Sequence, residues 1–303
     1  MNGSTLKANL LLLLTAAIWG SAFVAQRAGM DHVGPFTFNG VRFALGGLSL
    51  LPLILLMPKP APSAGRGDPR ALFVGGLLAG AALYFGASLQ QVGLVHTTAG
   101  KAGFITGLYV VIVPLMGLFW RQRPDLGTWI GAALAAVGMY FLSVTHQFAI
   151  SLGDFLVLIG AFFWAGHVLL LGWLSPRVDT LRLAMVQFLV CSVLSLGTAF
   201  AVETVALSGI LDGALPILYG GLGSVGIAYT LQVVAQKDAK PAHAAIILSM
   251  ESPFAALAGF FLLGEILHGR GLFGCALMLA GMLLSQLYPF LTRVAARRAA
   301  TPL

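Results

Sequence analysis

Gly75-Gly76-Leu77-Leu78-Ala79-Gly80-Ala81-Ala82-Leu83-Tyr84 returns 145 positions later as Gly220-Gly221-Leu222-Gly223-Ser224-Val225-Gly226-Ile227-Ala228-Tyr229, with the leading Gly-Gly-Leu and the final Tyr in register. The same shift places Trp19 on Trp164, and Val41 and Phe43 on Val186 and Phe188. A shift of 143 then matches Gly131, Ala133, Leu134, Gly138 and Met139 to Gly274, Ala276, Leu277, Gly281 and Met282, while Pro114 stands 139 before Pro253, so small length changes separate the copies. A fixed self-similarity of this period marks a duplicated architecture. We divide the chain into a first repeat, 1–145, and a second, 146–303.

Composition says where the repeats reside. Of 303 residues, 58% are hydrophobic and 9% charged, and the mean hydropathy is +0.93, whereas an ordinary soluble domain carries about 25% charged residues. Apolar runs fall at about 8–28, 35–57, 71–92, 98–120, 126–145, 153–173, 183–204, 213–236, 242–264 and 270–291. A helical span takes about 20 mostly apolar residues, so the expected fold is all-α and integral to the membrane, with ten transmembrane helices. Breakers mark the connections at Gly34-Pro35, Pro58 through Arg70, Arg123-Pro124, Ser175-Pro176 and Lys240-Pro241. The first run is long enough to span, which favours a helix over a cleaved leader.

Charge orients the spans. The formal charge of +7 would suggest nucleic acid in a soluble protein, but here the basic residues belong to connections. Lys7, Lys59, Arg66, Arg70, Arg121, Arg123, Arg177, Arg182, Lys237, Lys240, Arg293, Arg297 and Arg298 collect on one side, and only Arg27, Lys101 and Arg270 on the other. Cytoplasmic loops carry the Lys/Arg excess, so both termini are expected in the cytoplasm. Five spans per repeat is an odd number, which inverts the second repeat relative to the first. Inverted halves supply two equivalent states, open to one side or the other, around a site near the midplane.

Several runs resemble a known family: Ala16-Ala17-Ile18-Trp19-Gly20-Ser21-Ala22-Phe23, Val41-Arg42-Phe43, Thr97-Thr98-Ala99-Gly100-Lys101-Ala102-Gly103-Phe104 leading to Val113-Pro114, and Glu251-Ser252-Pro253 to Gly264-Glu265. They are similar to the drug/metabolite transporter superfamily, EamA branch, over nearly the whole chain. The resemblance implies two inverted five-helix repeats, with helices 1–4 and 6–9 around a central cavity and helices 5 and 10 beside it. It also implies transport of amino acids, other metabolites or toxic organic cations, with the closest likeness to bacterial aromatic amino acid exporters. The halves depart from each other where Arg121-Gln122-Arg123 faces Gly264-Glu265, and where Gln187 takes the place of Arg42.

Ionisable groups inside a span are costly and are default functional candidates. Glu251, about nine residues into the ninth run, lies roughly 14 Å deep, and is placed to hold a substrate ammonium or exchange a proton. His167, three residues after Trp164, is the second candidate for proton coupling, since imidazole titrates nearest neutral pH. Arg42 offers a two-pronged partner for a carboxylate or a structural contact. Lys101 offers a point charge or snorkels outward. Trp19, Trp164, Tyr84 and Tyr229 form two repeat-related pairs away from the interfacial belts, and Tyr109 follows Lys101 by eight residues on nearly the same face. Flat rings of this kind suit a pocket for an apolar or cationic ligand.

Other matches are set aside. Gly221-Leu222-Gly223-Ser224-Val225-Gly226 satisfies a dinucleotide pattern but lies inside an apolar run instead of a strand-turn-helix unit. The six histidines are scattered, without H-E-x-x-H spacing, and no phosphate-binding loop occurs. Cys191 and Cys275 sit within apolar runs as small hydrophobes. The expectation is therefore a secondary transporter, neither an enzyme nor a sensor subunit, with no catalytic residues, metal or cofactor and no nucleic-acid partner. Its site would comprise Trp19, Tyr84, Lys101, Tyr109, Trp164, His167, Tyr229 and Glu251, with Arg42 in attendance. Export of large neutral or aromatic amino acids across a bacterial inner membrane is the first reading, efflux of hydrophobic organic cations the second, and a monomer suffices for either.

Overall fold

A computed structural model describes residues 3–56, 68–97, 99–143, 151–263 and 268–299. The elements in order are α1 (Gly3–Gly29), α2 (Pro35–Ser49) with α3 (Leu51–Leu56), α4 (Pro69–His96), α5 (Ala99–Gly107), α6 (Tyr109–Phe119), α7 (Leu126–Ser143), α8 (Leu152–Leu174) and α9 (Thr180–Val202). There follow α10 (Leu207–Asp212), α11 (Ala214–Leu218), a π segment (Tyr219–Tyr229), α12 (Thr230–Ala235), α13 (Pro241–Leu248), α14 (Glu251–Leu263) and α15 (Gly269–Ala299). No strand occurs among the described residues. Among the described residues, eight helical stretches are long and apolar enough to cross a membrane, and Leu126–Phe141 is a shorter apolar helix. The protein is therefore a multi-pass membrane protein. At the ninth expected span the structure has two short helices, α13 and α14, in place of one continuous helix.

Local chemistry sets many of the boundaries. Proline opens α2, α4 and α13, where its missing N–H costs nothing. Asp68 and Asp179 cap α4 and α9 through their carboxylates, and Ser151 with Asp154 forms a reciprocal capping box on α8. Pro253 falls in the first turn of α14, a position that tolerates it, whereas a continuous helix would set its ring against the Ser249 carbonyl. The chain breaks at Ser249–Met250 accordingly. Glycine lets helices approach at close range: a Cβ on Gly131 would lie 2.7 Å from the Gly281 carbonyl, and one on Gly281 2.6 Å from that of Gly131.

The helices pack as a bundle in which α4 runs along α8 and α9, α2 along α9 and the π segment, and α1 along α14 and the π segment. The α7–α15 pair joins this bundle chiefly through α5, α6 and α13. The first turns of α1 and the later turns of α15 lie together at one end of the bundle, where Asn9 Nδ2 donates to Gln286 Oε1 at 2.8 Å. There Asp125, Thr128 and His243 also meet, with Thr128 Oγ1 2.9 Å from His243 Nε2 and Asp125 3.9 Å from the same nitrogen. At the opposite end Glu203 accepts from the backbone N–H groups of Phe36 and Thr37, both at 2.8 Å, joining α9 to the start of α2. Leu12, Leu171, Leu174 and Leu183 are buried toward the termini, and the cavity described next lies on the far side of them.

Candidate functional site

Trp19, Phe23 and Gln26 stand at i, i+4 and i+7 on α1, one face of a helix, and all three line an internal cavity. Arg42 of α2, Gln90 of α4, Thr106 and Tyr109 of the α5–α6 stretch, and Trp164 and Val168 of α8 also line it, with Ser224, Tyr229 and Gln232 from the π segment and α12, and Leu248 and Glu251 flanking the α13–α14 break. Its empty space, the open mouth included, is about 480 Å³. Every span contributing to it comes from the central bundle; neither α7 nor α15 does.

Glu251 is the first residue of α14 and Tyr109 the first of α6. The Tyr109 hydroxyl donates to Glu251 Oε1 at 3.2 Å, so the two broken spans meet at their breaks. Gly20 permits this arrangement: a Cβ there would fall 2.7 Å from the Glu251 carbonyl.

Arg42 is buried, with 2% of its surface exposed. Its Nε donates to Asn39 Oδ1 at 3.0 Å, and its guanidinium lies 5.4 Å from the Phe38 ring centre and 4.9 Å from that of Phe43. Its two terminal nitrogens make no hydrogen bond, and the guanidinium no ion pair, with any other described residue. A buried cation held by ring faces and one amide oxygen retains its capacity to bind an anion in two-pronged fashion.

Tyr229 forms the hub of an aromatic cluster. Its ring centre lies 4.4 Å from that of Trp19, 5.8 Å from Phe43, and 6.0 Å from both Trp164 and Phe188. The π segment explains how α1 is held there: Trp19 Nε1 donates to the Ser224 carbonyl at 3.3 Å, and Thr15 Oγ1 to that of Ala228 at 3.1 Å. Such i→i+5 stretches are rare and are concentrated at functional sites. The glycines at 220, 221, 223 and 226 lower the helix propensity that would oppose it.

The expected site residues thus divide. Trp19, Tyr109, Trp164, Tyr229 and Glu251 line one cavity, together with Arg42. His167 stands behind that wall, its Nε2–H donating to Gln187 Oε1 at 2.8 Å and its ring 6.2 Å from Trp164. Tyr84 lies off the cavity, sharing a 2.7 Å hydrogen bond with Thr198 and an edge contact with Phe85. Lys101 belongs to α5, but its side chain lies outside the described residues, as do Gly264 and Glu265. The sequence reading missed Gln26, Gln90 and Thr106 because uncharged polar residues in a span carry little signal alone; the 19-23-26 spacing was the one clue available.

A helical membrane bundle with a central cavity holding a buried cation, a buried carboxyl and aromatic faces has the construction of a small-molecule transporter. The chain belongs to the EamA-like transporter family, whose pattern matches twice, over residues 6–144 and 151–287. It is 34% identical over 284 residues to an uncharacterized transporter of Archaeoglobus fulgidus, covering 93% of this chain and 86% of that one. It is 27% identical over 255 residues to the uncharacterized inner membrane transporter YedA of Escherichia coli K12, covering 82% and 81% of the two chains. A solved crystal structure shares the fold with a TM-score of 0.76 at 20% identity, covering 97% of this chain and 99% of the other. The protein is accordingly a transporter.

Proposed function

We propose that this transporter exports amino acids, large neutral ones among them, across a bacterial inner membrane by alternating access. The observation that carries the reading is the joint presence on one cavity of Arg42, with its terminal nitrogens unclaimed by described residues, and Glu251. Together they match the two charges of a zwitterion: a carboxylate on the guanidinium, an ammonium on the carboxylate. The aromatic wall of Trp19, Tyr229 and Trp164 receives the remainder. Ten spans in two inverted five-helix repeats, 1–145 and 146–303, complete the proposal, with cytoplasmic termini. Contacts between the halves support it, since α4–α8 and α1–π-segment packing are mates under the repeat, and α7–α15 packing is its own mate. With the leucine-rich layer toward the termini closed, the cavity approaches the opposite end, as a state facing away from the cytoplasm would.

Efflux of organic cations is the second reading, favoured by the ring faces beside Glu251; it leaves Arg42 idle. Flux of labelled neutral amino acids and of a quaternary ammonium dye into proteoliposomes, for wild type and Arg42→Gln, separates the two. Saturable amino acid flux lost in Arg42→Gln upholds the amino acid reading, and dye flux untouched by that substitution, without amino acid flux, replaces it. An imposed pH gradient, compared between wild type and Glu251→Gln, tests whether Glu251 also couples protons.

A further inference from the structure

Among the described residues, six glutamines are buried: Gln26, Gln90, Gln91, Gln187, Gln232 and Gln236. Four of these side chains have partners, two of them backbone carbonyls. Gln90 donates to Thr106 Oγ1 at 3.0 Å, Gln91 to the Gln26 carbonyl at 3.3 Å, Gln236 to the Val168 carbonyl at 2.8 Å, and Gln187 accepts from His167. The side chains of Gln26 and Gln232 make no hydrogen bond with any described residue, and both line the cavity. Buried polar groups are nearly always paired, so an unpaired one that lines a cavity points to a partner arriving from within it.

The two do not share a location. Gln26 lies seven residues beyond Trp19 on a helix running away from the termini, roughly 10 Å along its axis. Gln232 follows Tyr229 by three residues toward the termini, on one helix face with it, and is 1% exposed. Trp164 stacks on Tyr229 with an interplanar angle of 21°, and its Nε1–H also lacks a partner among the described residues. Trp164, Tyr229 and Gln232 therefore make one wall that presents an unpaired indole donor and an unpaired carboxamide between apolar ring surfaces.

We infer that this wall is a subsite for a neutral polar side chain, a hydroxyl or a carboxamide, on the amino acid proposed above. The inference rests on that reading and narrows it. A benzyl or branched aliphatic side chain would cover the Gln232 amide and the indole N–H without satisfying either, whereas a hydroxyl accepts from one and bonds the other. Gln232 is thus a specificity-determining residue, and aromatic amino acids are poorer cargo than polar ones of similar bulk.

Threonine and valine share a shape and differ by a hydroxyl in place of a methyl, which makes them the probes. Uptake of each is measured in proteoliposomes with wild type and Gln232→Leu. Wild type favours threonine by at least about tenfold, because a site built to bond a hydroxyl rejects its apolar isostere, while an apolar pocket discriminates weakly. Gln232→Leu brings the ratio to about one with valine flux at or above wild type, which also shows the variant to be folded. Equal fluxes in wild type overturn the subsite and leave amino acid transport standing. Flux of neither amino acid, with dye flux present, overturns both. If Gln232→Leu does not fold, the wild-type ratio alone decides.

Discussion

The third span and its mate in the second half, residues 69–96 and 214–235, share a sequence pattern and differ in helical form along their middle. Pro69–His96 is a regular α-helix, whereas 214–235 passes through the π segment Tyr219–Tyr229. Tyr84 and Tyr229 occupy the same position in the repeat, yet Tyr84 bonds Thr198 at the edge of the bundle and Tyr229 sits at the centre of the aromatic cluster. An i→i+5 turn contains more residues than an α turn, so side chains beyond it are rotated relative to those of an α-helix. Duplicated residues therefore need not have duplicated surroundings. One half supplies the ring hub, and the other supplies packing.

The largest expected contrast tests that division directly. Tyr229→Ala should lower stability by about 3–5 kcal/mol, as for a large buried aromatic, and abolish transport. Tyr84→Ala should lose the Thr198 hydrogen bond, about 1 kcal/mol, and the edge contact with Phe85, about 0.5–1.5 kcal/mol. Thermal unfolding in detergent together with flux checks the pair, and equal losses would end the distinction. At the two helix breaks, Glu251→Gln should reduce flux by at least about thirtyfold, as expected when one partner of a buried charged contact is removed. Tyr109→Phe, which removes one donor to that carboxylate, should reduce flux by about tenfold. Similar effects of the two in a flux assay would mean that the hydroxyl and the carboxyl act as one unit.

Smaller effects separate the repeat-related tryptophans. Trp19→Phe removes the donor to the Ser224 carbonyl and should cost about 1 kcal/mol of stability. The Trp164 N–H has no described partner to lose, so Trp164→Phe should leave the unfolding midpoint within about 1–2 °C of wild type while changing substrate preference. The smallest effect belongs to Gly223→Ala. A Cβ there meets nothing closer than 3.5 Å, its own helix's Tyr219 ring, so a shift within about 1 kcal/mol is expected. A larger loss would show that the π geometry itself depends on that glycine.

Much of the site was legible because charge and ring size are conspicuous in an apolar sequence. Glu251, Arg42, Trp19, Trp164 and Tyr229 stand out for that reason, and they do line one cavity. Tyr84 was drawn in by symmetry, which the sequence displays, and excluded by a helical register that it does not. His167 was read as a cavity group from its spacing to Trp164, yet it bonds Gln187 one layer back. The sequence spacing Tyr229, Gln232, Gln236 at i, i+3 and i+7 puts Gln232 on the pocket face, but that its side chain lacks a partner among the described residues while that of Gln236 has one is visible only in the structure.

Sequence alone determined the apolar spans, the duplication and the family-specific runs, because hydropathy, periodicity and residue identity are properties of the chain in order. Only tertiary structure decided that Tyr229 and not Tyr84 faces the cavity while Trp19 and Trp164 both do, where the fourth and ninth spans break, and which polar groups remain unpaired. Those outcomes depend on helix register and on contacts between residues far apart in the chain, such as Trp19 with the Ser224 carbonyl, 205 positions away, and no local pattern encodes them.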